Sequence, residues 1–140
     1  MLTEIREGKD LDSVVKHITQ EKINVYAEAS GDFNPIHTDE SFAAKTPLGG
    51  TIAHGMLSLA YVSEMMASAF GRDWLSEGRL RAKFKEPARP GDTLTVDGRV
   101  DCIEKKDDVS YANCLFECRN QKGEMIVTGE AIVQVSSDKK

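Results

Sequence analysis

Residues 55–70, GMLSLAYVSEMMASAF, limit what this chain can fold into more than any other stretch. At helical spacing, Met56, Leu57, Leu59, Ala60, Tyr61, Val62, Met65, Met66, Ala67 and Phe70 cover most of the circumference. A helix that is apolar nearly all round is expected to be buried on all sides by other protein. Glu64 breaks the run, and the run is shorter than a membrane span, so the covering surface must come from protein. Gly71 is the expected stop.

Past that helix the period changes to two. RLRAKFKEP alternates Leu80, Ala82 and Phe84 with Arg81, Lys83 and Lys85, as a half-buried strand does. ARPGDT reads as a turn. LTVDGRVDC alternates through Leu94, Val96, Val100 and Cys102. VSYANCLFEC and EMIVTGEAIVQV read as two more strands joined by NQKGE, and the final SSDKK as a solvated tail. One buried helix followed by long antiparallel strands predicts an α+β fold, a sheet wrapped around a central helix in a single domain over residues 1–140.

Charge and cysteine content narrow the function classes. The formal charge of −5 makes nucleic acid or an anionic membrane a poor partner. Cys102, Cys114 and Cys118 are odd in number and lack a CxxC spacing, which argues against a disulfide frame or a zinc site. The start, MLTEIREGKD, is too charged for a signal peptide, so a reduced, cytoplasmic location is expected. No strand–GxGxxG–helix unit is present for a redox cofactor, and the few histidines offer no ligand set for a metal.

The chemistry-bearing stretch is SGDFNPIHTDESF, residues 30–42. It follows a short amphipathic helix in TQEKINVYAEAS, with Ile23, Tyr26, Ala27 and Ser30 at helical spacing. It precedes a second helix for which Thr38 is the expected N-cap, with Asp39 and Glu40 in its first turn. TPLGGTIAHG then reads as loop. Two readings of Asp32 and His37 stand side by side. In one they are turn and loop residues, since Gly-Asp and Asn-Pro are common turn pairs. In the other, Pro35 stiffens the chain and holds Asn34 extended, so that a carboxylate and an imidazole face one space. Such a pair can polarise one water, with Asn34 anchoring the turn or orienting its neighbours.

Gly55 also has two readings. It permits a tight turn into the helix, or it lets a ligand oxygen approach the free N–H groups at the helix start, an oxyanion hole. His54 is read as a structural histidine at the helix start.

YAEASGDFNPIH followed by AHGML resembles the signature of the MaoC-like, (R)-specific enoyl-CoA hydratase family, and FKEPARPGDTL is similar to that family's strand and turn after the central helix. The resemblance runs from about Tyr26 to the final strand. It implies a hot-dog fold and reversible addition of water to a 2-trans-enoyl thioester, giving an (R)-3-hydroxyacyl thioester. It places the acid–base pair on Asp32 and His37, the supporting amide on Asn34 and the oxyanion donor on the backbone N–H of Gly55. No cofactor is implied. The implied partners are an acyl-CoA substrate and further copies of the chain, as a homodimer or higher homo-oligomer with the site near the interface. On the Gly55 face of the helix, Leu59, Ser63 and Met66 are the candidate acyl-binding residues, the other reading being that they simply pack against the sheet. Arg79, Arg81, Lys83, Lys85 and Arg89 read as a solvated strand face, with the coenzyme A phosphates as the alternative. A thioesterase, an acyl-carrier-protein dehydratase and a non-catalytic acyl-thioester-binding module are the rival classes.

Overall fold

The computed structural model describes residues 5–135. The first four residues and the SSDKK tail lie outside them. The elements in chain order are β1 (Val14–His17), α1 (Gln20–Ser30), α2 (Pro35–Thr38), α3 (Glu40–Ala44), α4 (Gly55–Phe70), α5 (Arg72–Glu77), β2 (Arg79–Phe84), β3 (Thr93–Lys106), β4 (Val109–Arg119) and β5 (Met125–Val135). The strands form one antiparallel sheet in the order β1-β3-β4-β5-β2.

The apolar run at 55–70 is α4 itself, and Gly71 ends it with φ 60°. Leu57, Val62, Met65, Met66 and Phe70 pack into the core with Leu94, Val96 and Val100 of β3, Cys114 and Phe116 of β4, and Val127 and Val133 of β5. Each fully buried side chain of that size contributes about 1.5–3 kcal/mol, so this layer dominates the stability of the fold. Two glycines let the layers close. A Cβ on Gly98 would lie 2.6 Å from the Met65 methyl, and one on Gly129 would lie 2.0 Å from the Arg81 carbonyl oxygen.

Several expectations need correction. The helix is not covered all round. Met56, Ala60, Glu64 and Ser68 are exposed, because the sheet packs on one side of α4 only. The strand β1 has no counterpart in the pattern reading. It is four residues long and pairs Val14–His17 with Val96–Thr93, so its place depends on β3 being there to receive it. Phe84 is less covered than Leu80 and Ala82 on the same strand. It is exposed and stands over Gly55. Cys102 is only half-buried, because a bulge between Val100 and Cys102 shifts the register at that point. The N-cap of α3 is Asp39 rather than Thr38. Its carboxylate accepts from the Phe42 N–H at 3.1 Å, and Thr38 instead ends α2.

Candidate active site

The segment from Gly31 to His54 is shaped by short side chains bonding to nearby backbone. Helix α1 starts at Thr19, whose hydroxyl accepts from the Lys22 N–H. It ends at Gly31, which is left-handed at φ 80° and so suits glycine. Asp32 follows directly. Its carboxylate accepts from the Asn34 N–H at 3.2 Å, and its own N–H donates to the Ser30 hydroxyl at 3.2 Å. Asn34 has ψ 127°, as the residue before a proline should, and Pro35 opens α2. The Asn34 side-chain oxygen accepts from the Ile36 N–H at 3.1 Å, so this amide anchors the turn.

His37, on α2, is buried at 7% exposure while Asp32 stays exposed. The His37 Nδ1 lies 2.8 Å from the Ile52 carbonyl oxygen. A carbonyl only accepts, so Nδ1 carries the hydrogen and Nε2 presents a lone pair. Around the pair runs a brace that the sequence reading did not single out. Gln20 donates to the His37 carbonyl at 2.7 Å, and the Thr51 hydroxyl bonds to Gln20 Oε1 at 2.6 Å. Glu40 accepts from the Thr51 N–H at 3.3 Å, and Ile52 N–H donates to the Ile36 carbonyl at 3.1 Å.

Asp32, His37 and His54 each place one donor atom within 4.8 Å of the others. That is close enough to hold one water between them. It is also a minimal set for a metal ion, but the His37 and His54 rings stack at 3.8 Å and 24°. Stacked imidazoles aim their nitrogens side by side rather than at one point, unlike a tetrahedral ligand set. His54, read as a structural histidine at the helix start, lies against His37 and bonds the Asp32 main chain. Its partners lie 17 and 22 positions away, which no spacing in the chain discloses.

Gly55 opens α4, so its N–H has no carbonyl one turn back to bond within the helix. It borders a cavity of about 230 Å³ that Ser58, Phe84, Pro87, Ala88 and Ile126 also line. A Cβ on Gly55 would come within 3.0 Å of the Phe84 ring, so only glycine leaves that backbone open here without moving the ring. Ser58, buried and one turn on, faces this cavity. Leu59, Ser63 and Met66 are not among the residues that line it. Leu59 and Ser63 are half-buried, with the Ser63 hydroxyl accepting from the Trp74 indole N–H at 2.9 Å, and Met66 lies in the core. Arg79, Arg81, Lys83 and Lys85 are exposed on and just after β2, and Arg81 pairs with Glu130 at 3.1 Å.

Residues 4–113 match the family described as MaoC like domain. The chain is 33% identical to an (R)-specific enoyl-CoA hydratase of Rhodospirillum rubrum over 134 residues, covering 94% of this chain and 89% of that one. It is 32% identical to the (R)-specific enoyl-CoA hydratase of Aeromonas caviae over 115 residues, covering 81% of this chain and 84% of that one. Among solved structures, the unliganded R-hydratase PhaJ1 of Pseudomonas aeruginosa superposes with a TM-score of 0.81 at 29% identity, covering 96% of this chain and 84% of that one. The Aeromonas caviae (R)-hydratase involved in PHA biosynthesis gives 0.80 at 27%, covering 96% and 99%. The sheet packed along α4 is the hot-dog fold of those hydratases. By its sequence match and its fold, the chain belongs to the MaoC-like family.

Proposed function

We propose that this protein adds water reversibly to a 2-trans-enoyl thioester of coenzyme A, giving the (R)-3-hydroxyacyl thioester. As an enzyme the chain is a hydro-lyase, the class of its curated relatives. The observation that carries the reading is the meeting of an exposed carboxylate, Asp32, with a buried imidazole, His37, beside the start of α4.

Water is a weak nucleophile at neutral pH, and a conjugated thioester accepts it only if enolate charge is stabilised. Asp32 and the Nε2 lone pair of His37 hold the water over the β-carbon. One takes its proton while a proton is delivered to the α-carbon. The thioester oxygen, gaining negative charge, takes the Gly55 N–H at the positive end of α4. The cavity beyond Gly55, which Ser58, Phe84 and Ile126 also line, receives part of the substrate. The uncovered side of α4, with Met56 and Ala60 exposed, supports a homodimer that closes the site. No helix of the described residues is long and apolar enough to cross a membrane, and a cytoplasmic location is part of the proposal.

Crotonyl-CoA is the direct probe. Loss of the conjugated thioester absorbance with formation of (R)-3-hydroxybutyryl-CoA is the expected result. Release of free thiol without hydration would replace the reading with a thioesterase, and tight binding of enoyl-CoA esters of every length without turnover would replace it with a binding module. Light scattering at micromolar concentration tests the assembly, and a fully active monomer would refute the dimer.

A further inference from the structure

His54 stands at the N-cap of α4 at 2% exposure, yet its side chain caps nothing. A polar residue kept there for the helix alone would accept from a first-turn N–H. The His54 Nδ1 is instead buried without a hydrogen-bond partner among the described residues. The ring is committed to the neighbouring segment. Its Nε2 lies 3.0 Å from the main-chain oxygen of Asp32, and because a carbonyl only accepts, Nε2 carries the hydrogen. Its face stacks on His37 at 3.8 Å, and Tyr26 closes the other contact at 4.9 Å and 59°. One side chain thus touches both members of the acid–base pair.

We infer that His54 is a positioning residue that sets the spacing of Asp32 and His37, bonding the main chain of one and stacking on the ring of the other. The inference rests on the hydration reading, since it needs those two residues to be the acting pair. Asp32 needs such a tie. It is exposed and follows a left-handed glycine, and its other hydrogen bonds among the described residues run to Ser30 and Asn34, two residues away on either side. Those bonds shape the loop within itself. The bond to His54 spans 22 positions and fastens the loop to α4. The turn itself links the pair through the Asn34 main chain, whose N–H donates to the Asp32 carboxylate and whose carbonyl accepts from the His37 N–H, while the His37 ring is held by Ile52. His54 adds a tie that reaches the ring of one and the main chain of the other from outside the turn.

The bare Nδ1 fits the same role. A hydrogen there would be buried with nothing to accept it, at a cost of about 1–3 kcal/mol. The tautomer that aims its N–H at Asp32 is thereby selected. A displacement of about 1 Å between reacting groups lowers the rate by about 10²-fold, which is the scale expected for loosening this tie.

Three substitutions separate positioning from bulk support. In His54→Gln the amide reaches the place of Nε2 and can still donate to Asp32. In His54→Asn the amide stops near Nδ1, and in His54→Phe the stack stays but the donor is gone. With crotonyl-CoA, His54→Asn and His54→Phe are expected to lose about 10–10²-fold in kcat with KM nearly unchanged, and His54→Gln to recover most of the loss. Melting curves on the same samples show which variants are folded. Folded Asn and Phe variants with wild-type kcat would overturn the inference, as would a Gln variant that falls as far as they do. Should His54→Phe not fold, the Gln and Asn pair decides alone. A wild-type protein without hydratase activity would end the functional reading itself, whereas an active wild type with indifferent His54 variants ends only this inference.

Discussion

On the sheet-facing side of α4, Val62 and Met66 have no exposed surface and belong to the apolar core. Between α1 and α4 the chain is held the other way, by directed bonds: Asn34 to Ile36, Gln20 to His37, Thr51 to Gln20 and Glu40, and His54 to Asp32. Apolar burial is strong and nondirectional, so the first region can be stable without placing any atom finely. Hydrogen bonds add little net stability but fix direction, so the second region can place a carboxylate and an imidazole. Stability and activity should therefore separate under mutation.

The sharpest break comes at the pair itself. Asp32→Asn keeps shape but removes the charge and the proton acceptor, and is expected to lower hydration by roughly 10²–10⁴-fold with an unchanged melting temperature. His37→Ala should lose a comparable factor. The double variant should lose much less than the product, because both groups act on one water. Near-normal turnover by folded Asp32→Asn would return the stretch to an ordinary loop.

Phe116→Ala probes the opposite region. Phe116 is 2% exposed within the core, and its loss should cost about 3–5 kcal/mol in denaturant unfolding. The kcat of the fraction that remains folded should be that of wild type. A fall in kcat without a fall in stability would erase the division between the two regions.

Thr51→Val sharpens the comparison inside the polar segment. It keeps size but removes the hydroxyl that bonds Gln20 and Glu40. Stability should drop by about 1–3 kcal/mol as their oxygens lose a partner. The rate should also drop, because Gln20 holds the His37 main chain.

The core's thiols give a pH signature of their own. Burial pushes Cys114 up to about 12, with Cys102 nearby adding to the effect, and pushes Cys118 up to about 11. Unfolding exposes both, and they then ionise near their ordinary value of 9.0. The unfolded chain binds fewer protons above that pH, so stability is intact below about pH 9 and declines as pH rises toward 12. Cys114→Ala with Cys118→Ala should flatten this alkaline decline. The smallest effect on activity belongs to Met66→Ala: Met66 is a core side chain outside the cavity at Gly55, so its loss should cost about 2–5 kcal/mol of stability and leave the preference among enoyl chain lengths unchanged. A shift toward longer enoyl chains in the folded variant would restore Met66 to the acyl site.

The sequence by itself determined the bounds of α4, the four strands after the first turn of the chain's second half, and the local turn around Asp32. Each is written in neighbouring residues. The apolar density of 55–70 needs a partner surface, period two demands a sheet face, and Asn34-Pro35 sets its own backbone. Only the tertiary structure decided the rest. The strand β1 carries no decisive pattern in four residues and becomes a strand by pairing with β3. One side of α4 stays open because a five-stranded sheet packs on one side of it, a matter of layer geometry rather than of apolar count. Phe84 follows the alternation of its strand and its ring meets α4's first residue, yet it stays exposed where β2 ends. His54 joins Asp32 and His37 only after the loop from Lys45 to Ala53 has folded back. A hydrogen bond across 22 positions is set by where surfaces meet, and no local period records it.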